Sequence, residues 1–204
     1  MSGLNISQYI VAWASSSFAE IDMDPWLIVR NAEEVVENAL QRLNDDFVRD
    51  KGFAIHRTAT IEAGVILKGA GIIGARSFVA SGSYLRGGAY IAEDCIVGPN
   101  SELKSSFMFA GSKIAHLNFV GDSIIGSGVN IEAGAIIANY RNEFADKQIR
   151  ILSDGLVLDT GVDKFGALVG DHVRIGANSV VAPGAVILPE TKIGRLQLVD
   201  QHPY

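Results

Sequence analysis

One histidine lies in a stretch that is otherwise rich in small and branched aliphatic side chains. The stretch runs from Gly111 to Tyr140, and it also holds the polar residues His116, Asn130 and Asn139. An imidazole titrates near neutral pH, so it can take a proton from a reacting group. The residue types therefore favour general base catalysis centred on His116.

Charged residues at a regular spacing predict partners for this histidine. The separation of Arg86 and Lys104 equals three steps of the apolar repeat described below, and Lys164 follows later. If three steps make one coil of the fold, these cations lie on one side of it and would bind an anionic substrate. Glu102 would come from the coil next to His116, where its carboxylate would hydrogen-bond the imidazole and keep it basic. A single Arg or Lys is more often a surface charge, so these roles depend on the coil.

A repeat of apolar residues at every sixth position predicts that coil. It runs from Ile55 to Leu103, slips by one residue on either side of His116, and returns from Val169 to Ile193. Neither a helical period of about 3.6 nor a strand period of about 2 gives a strict six, whereas a solenoid with regular corners does. We expect short strands with inward apolar residues, three strands to a triangular coil, and parallel pairing between stacked coils.

The N-terminal part of the chain has a helical pattern instead. Asp24 predicts an N-cap and Pro25 a first helical position, and apolar residues follow at helical spacing as far as Phe47. The opposite face is charged, which is typical of a helix packed on one side. We assign residues 1–52 to a helical N-terminal segment, with its two tryptophans as packing anchors, and residues 53–204 to a β-helix domain.

The repeat is absent between Asn142 and Asp163. Alternating apolar residues flank Ser153 and Gly155, which is typical of a β-hairpin. Structureless loops of this length are uncommon, so we assign an excursion over residues 141–163 with a hairpin of its own. Insertions in solenoids often lie on the binding face. An oligomerising arm is an equally good interpretation.

Composition limits the classes of function. Hydrophobic residues make up 48% of the chain, and no apolar run reaches the length of a membrane span. The net charge of −6 argues against nucleic acid or an anionic membrane as partner. The single cysteine, Cys95, excludes an internal disulfide, and we interpret it as a packed residue rather than a nucleophile. The N-terminus lacks the features of a secretory signal, so we expect a cytoplasmic protein.

From Leu85 to about Gly184 the chain resembles the acetyltransferase domain of the bacterial bifunctional N-acetylglucosamine-1-phosphate uridylyltransferase and glucosamine-1-phosphate acetyltransferase. The similarity lies in the run Gly111 to Leu117 and in the Gly-Asp, Asn-Ile-x-Ala-Gly and Asn-Tyr elements that follow it. The resemblance implies a mainly β, left-handed parallel β-helix of hexapeptide repeats, here with the helical segment and the inserted hairpin. It also implies acetyl-CoA as co-substrate, no metal, and a homotrimer with its sites in the grooves between subunits.

The resemblance also implies roles for residues. His116 falls on the catalytic base and Glu102 on the acidic residue that orients it. The substrate positions matched are Arg86, Lys104, Asn130 and Lys164 for the sugar phosphate, and Asn139 and Tyr140 for the acceptor. Ala133 and Ala177 match positions that contact acetyl-CoA. The implied mechanism is direct transfer: the base takes a proton from the amine, the amine attacks the thioester carbonyl, and a backbone N–H, that of Ala133, stabilises the oxyanion.

Departures from the family bear on the substrate. Phe119 stands where the family has a tyrosine that contacts the sugar phosphate, so one hydrogen bond of the substrate site is lost. On this sequence the helical segment replaces the uridylyltransferase domain, and the chain ends soon after Ile193. We therefore expect an N-acetyltransferase of nucleotide-sugar biosynthesis that acts on an amino-sugar phosphate or a nucleotide-linked amino sugar, without uridylyltransferase activity.

Two other functions remain open. One is an acyltransferase that acts on a UDP-sugar hydroxyl. The other is a non-catalytic module for sugar-nucleotide binding or assembly, which the loss at Phe119 keeps open. A carbonic anhydrase of the same fold is excluded, because Gly121 stands where its companion histidine would be and the four histidines form no ligand set.

Overall fold

The computed structural model describes residues 4–153 and 155–203, and most of these residues form stacked coils of short parallel strands. Two 3₁₀ helices, Ile6–Gln8 and Val11–Ser15, and two α-helices, α1 (Pro25–Arg30) and α2 (Ala32–Leu40), precede the coils. The strands are, in chain order, β1 (Phe47–Asp50), β2 (Phe53–His56), β3 (Thr60–Ile61), β4 (Ile66–Lys68), β5 (Gly71–Ile73), β6 (Phe78–Val79), β7 (Tyr84–Ile91), β8 (Ile96–Val97), β9 (Glu102–Met108), β10 (Lys113–Ile114), β11 (Phe119–Gly121), β12 (Ile124–Ile125), β13 (Asn130–Ile131), β14 (Ile136–Ile137), β15 (Arg150–Ser153), β16 (Leu156–Asp159), β17 (Ala167–Val169), β18 (Arg174–Ile175), β19 (Val180–Val181), β20 (Ala185–Ile187), β21 (Lys192–Ile193) and β22 (Leu198–Val199).

The coils form a prism with three faces. The first face holds β2, β5, the second halves of β7 and β9, then β12, β17 and β20. The second face holds β3, β6, β8, β10, β13, β18 and β21. The third face holds β4, the first halves of β7 and β9, then β11, β14, β19 and β22. The predicted fold class is confirmed: the chain is mainly β and forms a left-handed β-solenoid of about 8 turns.

The register between coils explains the slips in the repeat. On the third face Tyr84 pairs with Glu102, a separation of three full steps of the repeat. Glu102 then pairs with Phe119, and Phe119 with Ile136, and each of these separations is one residue shorter. Ile136 pairs with Val180 across a much longer stretch of sequence, because the excursion lies between them. The two coils around His116 are thus one residue shorter than those before them, and the stacking continues unbroken.

Inward residues of the repeat form one continuous core. Leu85, Ile91, Val97 and Leu103 are each 0% exposed, and they pack with their equivalents in the later coils. Full burial of one such side chain contributes roughly 1.5–3 kcal/mol. The stacked apolar column therefore stabilises the prism and fixes which residues point outward.

The outward residues of the first face are also apolar, and the N-terminal segment covers them. The outward row consists of Ala54, Ile72, Tyr90, Phe107, Ile124 and Leu168. Phe18 packs edge-on against Tyr90 and Phe107, with ring centroids 4.8 Å and 5.1 Å away. Trp26 of α1 meets Phe165 at 6.2 Å. Both tryptophans are buried, as predicted for packing anchors.

One glycine permits the close approach of α2 to the coils. Gly88 lies at a bulge in β7 with φ of 85°, and a Cβ at this position would lie 2.3 Å from the backbone carbon of Ala32. A side chain is therefore excluded twice, by the left-handed conformation and by the helix backbone.

The helical segment is shorter than the sequence predicts. Pro25 begins α1 as expected, but the side chain of Asp24 makes no capping hydrogen bond. The helical face was predicted to reach Phe47, and this is wrong, because α2 ends at Leu40 and Phe47 begins β1, antiparallel to β2. Asn44 accepts a hydrogen bond from the N–H of Asp46, a turn that competes with helix.

The division of the chain at residue 52 stays a prediction. The pairing of β1 with β2 crosses this boundary, and the second apolar cluster contains residues from both sides of it. Met1, Ser2 and Gly3, on which part of the expectation about secretion rests, lie outside the described residues. Within the described chain, none of the helices combines the length and the apolar character that crossing a membrane requires.

The excursion forms the predicted hairpin, with β15 antiparallel to β16. Asp154 lies outside the described residues. Its apolar residues Ile149 and Ile151 are buried in the second cluster. At its base, Arg141 is buried and bonds Asp200 at 2.7 Å and the carbonyl of Pro183 at 2.9 Å. The excursion is thus packed onto the prism and fastened to the last coil.

Replacing Phe18 by alanine tests the contribution of the helical cover. Phe18 is 1% exposed, so F18A removes a buried ring between two aromatic partners and should lower the free energy of unfolding by about 3–5 kcal/mol. Urea unfolding followed by circular dichroism measures this. The matched control is V11A, since Val11 is 77% exposed and its truncation should change stability by no more than about 0.5 kcal/mol. Equal midpoints for F18A and V11A would contradict the packing role.

Candidate functional site

His116 lies on the edge between the second and third faces, after β10 and before β11. Its carbonyl accepts a hydrogen bond from the N–H of Gly134 at 2.9 Å, and the carbonyl of Ala133 accepts one from Asn178 at 3.0 Å. The same corner is therefore stacked from coil to coil. His116, Ala133 and Ala177 form a column along this edge, which we call the histidine edge.

Two groups on the histidine edge are available for chemistry. The imidazole of His116 is exposed and has no hydrogen-bond or ion-pair partner among residues 4–153 and 155–203. Within the same ranges, the N–H of Ala133 makes no hydrogen bond either. Adjacent coils are about 4.8 Å apart. An exposed imidazole therefore lies one coil away from a backbone N–H that has no partner in the described chain, an arrangement suited to proton abstraction beside a carbonyl.

The N–H of Ala177, one coil further on, is already occupied. It donates to Oε2 of Glu132 at 2.9 Å, and both carboxylate oxygens of Glu132 accept from Arg195 at 3.0 Å. The hydrogen bond from Arg195, and to a smaller extent the one from the Ala177 N–H, lowers the pKa of the Glu132 carboxyl from its usual value. A ligand that uses the Ala177 N–H has to displace this carboxylate. Sequence reasoning missed Glu132, although it lies directly before Ala133.

Within the described chain Glu102 is hydrogen-bonded to Arg86 and not to His116, and its role in orienting the imidazole stays a prediction. Oε1 of Glu102 accepts from Nε and Nη2 of Arg86, both at 2.7 Å. The register explains this choice, because Arg86 pairs with Lys104, and Glu102, two residues before Lys104 on the same strand, lies diagonally across from Arg86. Like charges at directly paired positions repel, so Arg86 turns toward the carboxylate.

Lys104 belongs to a second network, centred on Asp122. Nζ of Lys104 lies 2.7 Å from both carboxylate oxygens of Asp122, and Nδ2 of Asn139 also donates to Asp122. The side chains of Lys104 and Asp122 are only 17% and 5% exposed. Asp122 was not predicted as a site residue. The available signal was its separation from Lys104, which equals three steps of the repeat, together with the Gly-Asp element.

A cavity of about 370 Å³ adjoins this network on the edge between the third and first faces. Its lining residues are Arg30, Lys104, Ser105, Asp122, Gly161, Val162, Asp163 and Lys164. We call it the lysine cavity. Lys104 and Lys164 both line it, and Asp122 joins them to Asn139; their role in binding substrate stays a prediction.

The other predicted residues lie elsewhere. Asn130 is on the second face, beside a cavity of about 220 Å³ that Glu132 and Arg195 also line. The ring of Phe119 lies along Gly121 on the third face, where an added Cβ would be 2.7 Å from it. Tyr140 is 37% exposed, with the ammonium of Lys147 over its ring at 5.4 Å. Within a single chain the predicted substrate residues therefore lie on the second face, on the third face and at the edge between the third and first faces.

Metal and thiol chemistry have no counterpart among the described residues. No group of three or more His, Cys, Asp or Glu residues in the part of the chain that the structure covers could hold a metal ion. Cys95 is fully buried, and burial raises the pKa of its thiol to about 12. Its Sγ donates to the carbonyl of Phe109 at 3.2 Å. Cys95 is therefore a packed residue, as predicted.

Comparisons with known proteins agree with this picture. The family model described as the GMPPB C-terminal domain matches residues 68–201. The chain is 36% identical over 168 residues to a bifunctional sugar-1-phosphate nucleotidylyltransferase/acetyltransferase of Sulfurisphaera tokodaii, a match that covers 80% of this chain and 41% of that protein. It is 38% identical over 125 residues to the bifunctional protein GlmU of Methanococcus vannielii, covering 61% and 30%.

The chain spans less than half the length of these curated relatives. The resemblance to the bifunctional acetyltransferases that the motifs indicate is confirmed by these similarities. Among solved structures, a hexapeptide transferase family protein from Anaplasma phagocytophilum is similar with a TM-score of 0.40 and 17% identity, covering 72% of each chain.

Removing Asp122 should destabilise the protein. D122A leaves the ammonium of Lys104 largely buried without its carboxylate, so we expect a loss of about 3 kcal/mol in the free energy of unfolding. Urea denaturation measures it. D94A is the control, because Asp94 pairs with Arg76 at 2.6 Å with both side chains at least 50% exposed, and Asp94 and Asp122 share a positive φ (57° and 46°). The backbone cost of alanine is therefore common to both variants, and D94A should shift the midpoint less than D122A does. If D122A and D94A shift the urea midpoint alike, the buried ion pair of Lys104 and Asp122 does not contribute more to stability than an exposed one.

Proposed function

The chain belongs to the GMPPB C-terminal domain family, and we propose that it is an acyltransferase that moves an acetyl group from acetyl-CoA to the amine of an amino-sugar phosphate or nucleotide-linked amino sugar. The observation that carries the proposal is the exposed imidazole of His116, one coil away from the N–H of Ala133, which makes no hydrogen bond to residues 4–153 or 155–203. The S. tokodaii relative, whose name includes acetyltransferase, supports the reaction type.

The reaction uses His116 as general base. The imidazole accepts a proton from the acceptor amine while the nitrogen attacks the acetyl carbonyl carbon of the thioester. The carbonyl oxygen gains charge and is stabilised by the N–H of Ala133. The carbon–sulfur bond then breaks, and the protonated imidazole returns a proton to the thiolate, which leaves as coenzyme A. Acetyl-CoA lies along the histidine edge over Ala133 and Ala177, and its binding displaces Glu132 from the Ala177 N–H.

The substrate residues follow from charge and hydrogen-bonding capacity. Lys104 and Lys164 line the lysine cavity and bind the phosphate, while Asn139, held by Asp122, contacts the sugar. Arg86, Asn130 and Tyr140 complete the acceptor site from neighbouring surfaces. Phe119 supplies an apolar wall to this site.

A homotrimer would bring these separated groups together. Third-face residues Ile136, Val180 and Leu198 pair in successive coils and expose between 37% and 68% of their surface, which is unusual for a row of large aliphatic side chains. We propose that this row packs against a neighbouring subunit, so that the histidine edge of one subunit meets residues of the next. The buried free thiol of Cys95 supports a cytoplasmic location for the assembly.

A second candidate is a non-catalytic sugar-nucleotide binding or assembly module. The observation that favours it is that two groups on which the proposed chemistry relies already have other partners. Glu102 forms an ion pair with Arg86, and the Ala177 N–H donates to Glu132. If those contacts persist with ligand bound, the base has no orienting partner and the cofactor lacks a donor.

Replacing His116 tests the reaction. H116A should lower kcat by about 10²- to 10⁴-fold, because general base catalysis is lost. It should leave the melting temperature unchanged, since the imidazole is exposed and makes no hydrogen bond in the described chain. Release of coenzyme A thiol with acetyl-CoA and a panel of amino-sugar phosphates measures turnover.

The control is H172N, an exposed histidine at a different corner whose φ of 60° suits asparagine. Full turnover in H116A would remove His116 from its role. Absence of turnover with every amino sugar in the wild type, together with binding of a nucleotide sugar, would favour the binding module.

Sedimentation equilibrium tests the assembly. The wild type should sediment as a trimer, and I136E, which adds a charge to the third-face row, should sediment as a monomer with most of its turnover lost. V11E is the matched control, since Val11 is exposed but lies outside that row. A monomeric wild type with full turnover would contradict the shared site.

A further inference from the structure

The lysine cavity contains a residue from outside the repeat. Arg30, the last residue of α1, lines the cavity together with Lys104 and Lys164. It lies in the helical segment, outside residues 68–201 that match the family model. Neither the coil register nor the motifs assign it a role.

The position of Arg30 is fixed by packing on both sides of the cavity. Trp26 and Val29 of α1 are 5% and 1% exposed, and the ring of Trp26 meets that of Phe165. Phe165 directly follows Lys164, so one aromatic contact holds the end of α1 beside the chain that carries Lys164. The backbone N–H of Phe165 also donates to the carbonyl of Asn139 at 3.0 Å, which joins this wall to the Asp122 network.

The charges around the cavity do not cancel. Three cations, Arg30, Lys104 and Lys164, line it with two carboxylates, Asp122 and Asp163, which gives a formal charge of +1. Lys104 is paired with Asp122, whereas Arg30 and Lys164 form no ion pair with any residue in the described ranges. In a chain of net charge −6, two unpaired cations facing one cavity indicate an anionic ligand.

The size and chemistry of the cavity fit a phosphate group with part of a sugar. Its volume of about 370 Å³ is at the lower end of the range for small-molecule sites. A guanidinium binds two phosphate oxygens at once, and an ammonium binds as a point charge. Ser105 on the same wall adds a hydroxyl.

We propose that Arg30 is a specificity-determining residue, which binds the phosphate of the acceptor together with Lys104 and Lys164. The identity of the acceptor rests on the proposed function, whereas the binding of phosphate does not. The helical segment thereby selects phosphorylated over unphosphorylated amino sugars.

The test compares phosphate binding and acetyl transfer in the wild type, R30Q, R30K and R42Q. Arg42 is an exposed arginine of the same segment, away from the cavity, so R42Q is the matched control. Calorimetric titration with inorganic phosphate should give a dissociation constant about 10- to 100-fold weaker in R30Q, with partial recovery in R30K and no change in R42Q. In turnover, R30Q should raise KM for glucosamine 1-phosphate by a similar factor, leave kcat unchanged, and leave KM for glucosamine unchanged.

The two proposals fail in different ways. If R30Q loses phosphate binding but the wild type acetylates no amino sugar, Arg30 stands as an anion ligand and the acetyltransferase proposal fails. If the wild type acetylates the phosphorylated sugar and R30Q does so with unchanged KM, the role of Arg30 is overturned. It is also overturned if the wild type binds no phosphate, or if R30Q and R42Q weaken binding equally. A purely structural role would lower the melting temperature of both R30Q and R30K without changing KM selectively.

Discussion

The whole structure depends on the stacking of coils, because an inward side chain can be buried only between the coils above and below it. Leu85 and Leu103 pair directly across this stack, and both are completely buried. Losing one residue from a coil is tolerated only at a corner, since a slip inside a strand would turn its inward side chains to solvent. The two shortened coils therefore keep their strands in step and absorb the change at the edge between the third and first faces, where Lys104 and Phe107, and likewise Gly121 and Ile124, are one residue closer in sequence than Arg86 and Tyr90.

The same constraint determines how much of the fold the sequence reveals. A period of six predicts the inward residues well, because burial selects them in every coil. It says less about the outward residues, whose surroundings depend on what covers each face. The outward row Ile72, Tyr90, Phe107 and Ile124 repeats at the coil length rather than at six, and this slower period was the signal that a helical segment covers the first face. The end of α2 at Leu40 was not visible, because Leu43 and Phe47 continue the helical spacing through a turn that Asn44 makes.

The sequence likewise reveals those features of the candidate site that the register fixes, and not the partner that each side chain takes. The register places Arg86, Lys104 and Gly121 at equivalent positions of successive coils. The alignment of the two cations was therefore predictable from their spacing of one coil. The choice of partners was not predictable, because it is decided by competition among side chains of similar reach. Glu102 forms an ion pair with Arg86, and Asp122, at the corner after Gly121, forms one with Lys104.

Repetition also limits what a solenoid can offer a ligand. Coils supply side chains at fixed spacings along faces and edges, and these side chains all point away from the prism. Side chains that approach a cavity from its other sides therefore have to come from segments outside the repeat. The lysine cavity has one wall from β9, a second from the end of the excursion and a third from α1. The helical segment is required in any case to bury the apolar outward row of the first face. Its Trp26 packs on Phe165, and this contact also holds Arg30 at the cavity. One aromatic contact therefore both covers the apolar face and places a positive charge at the site.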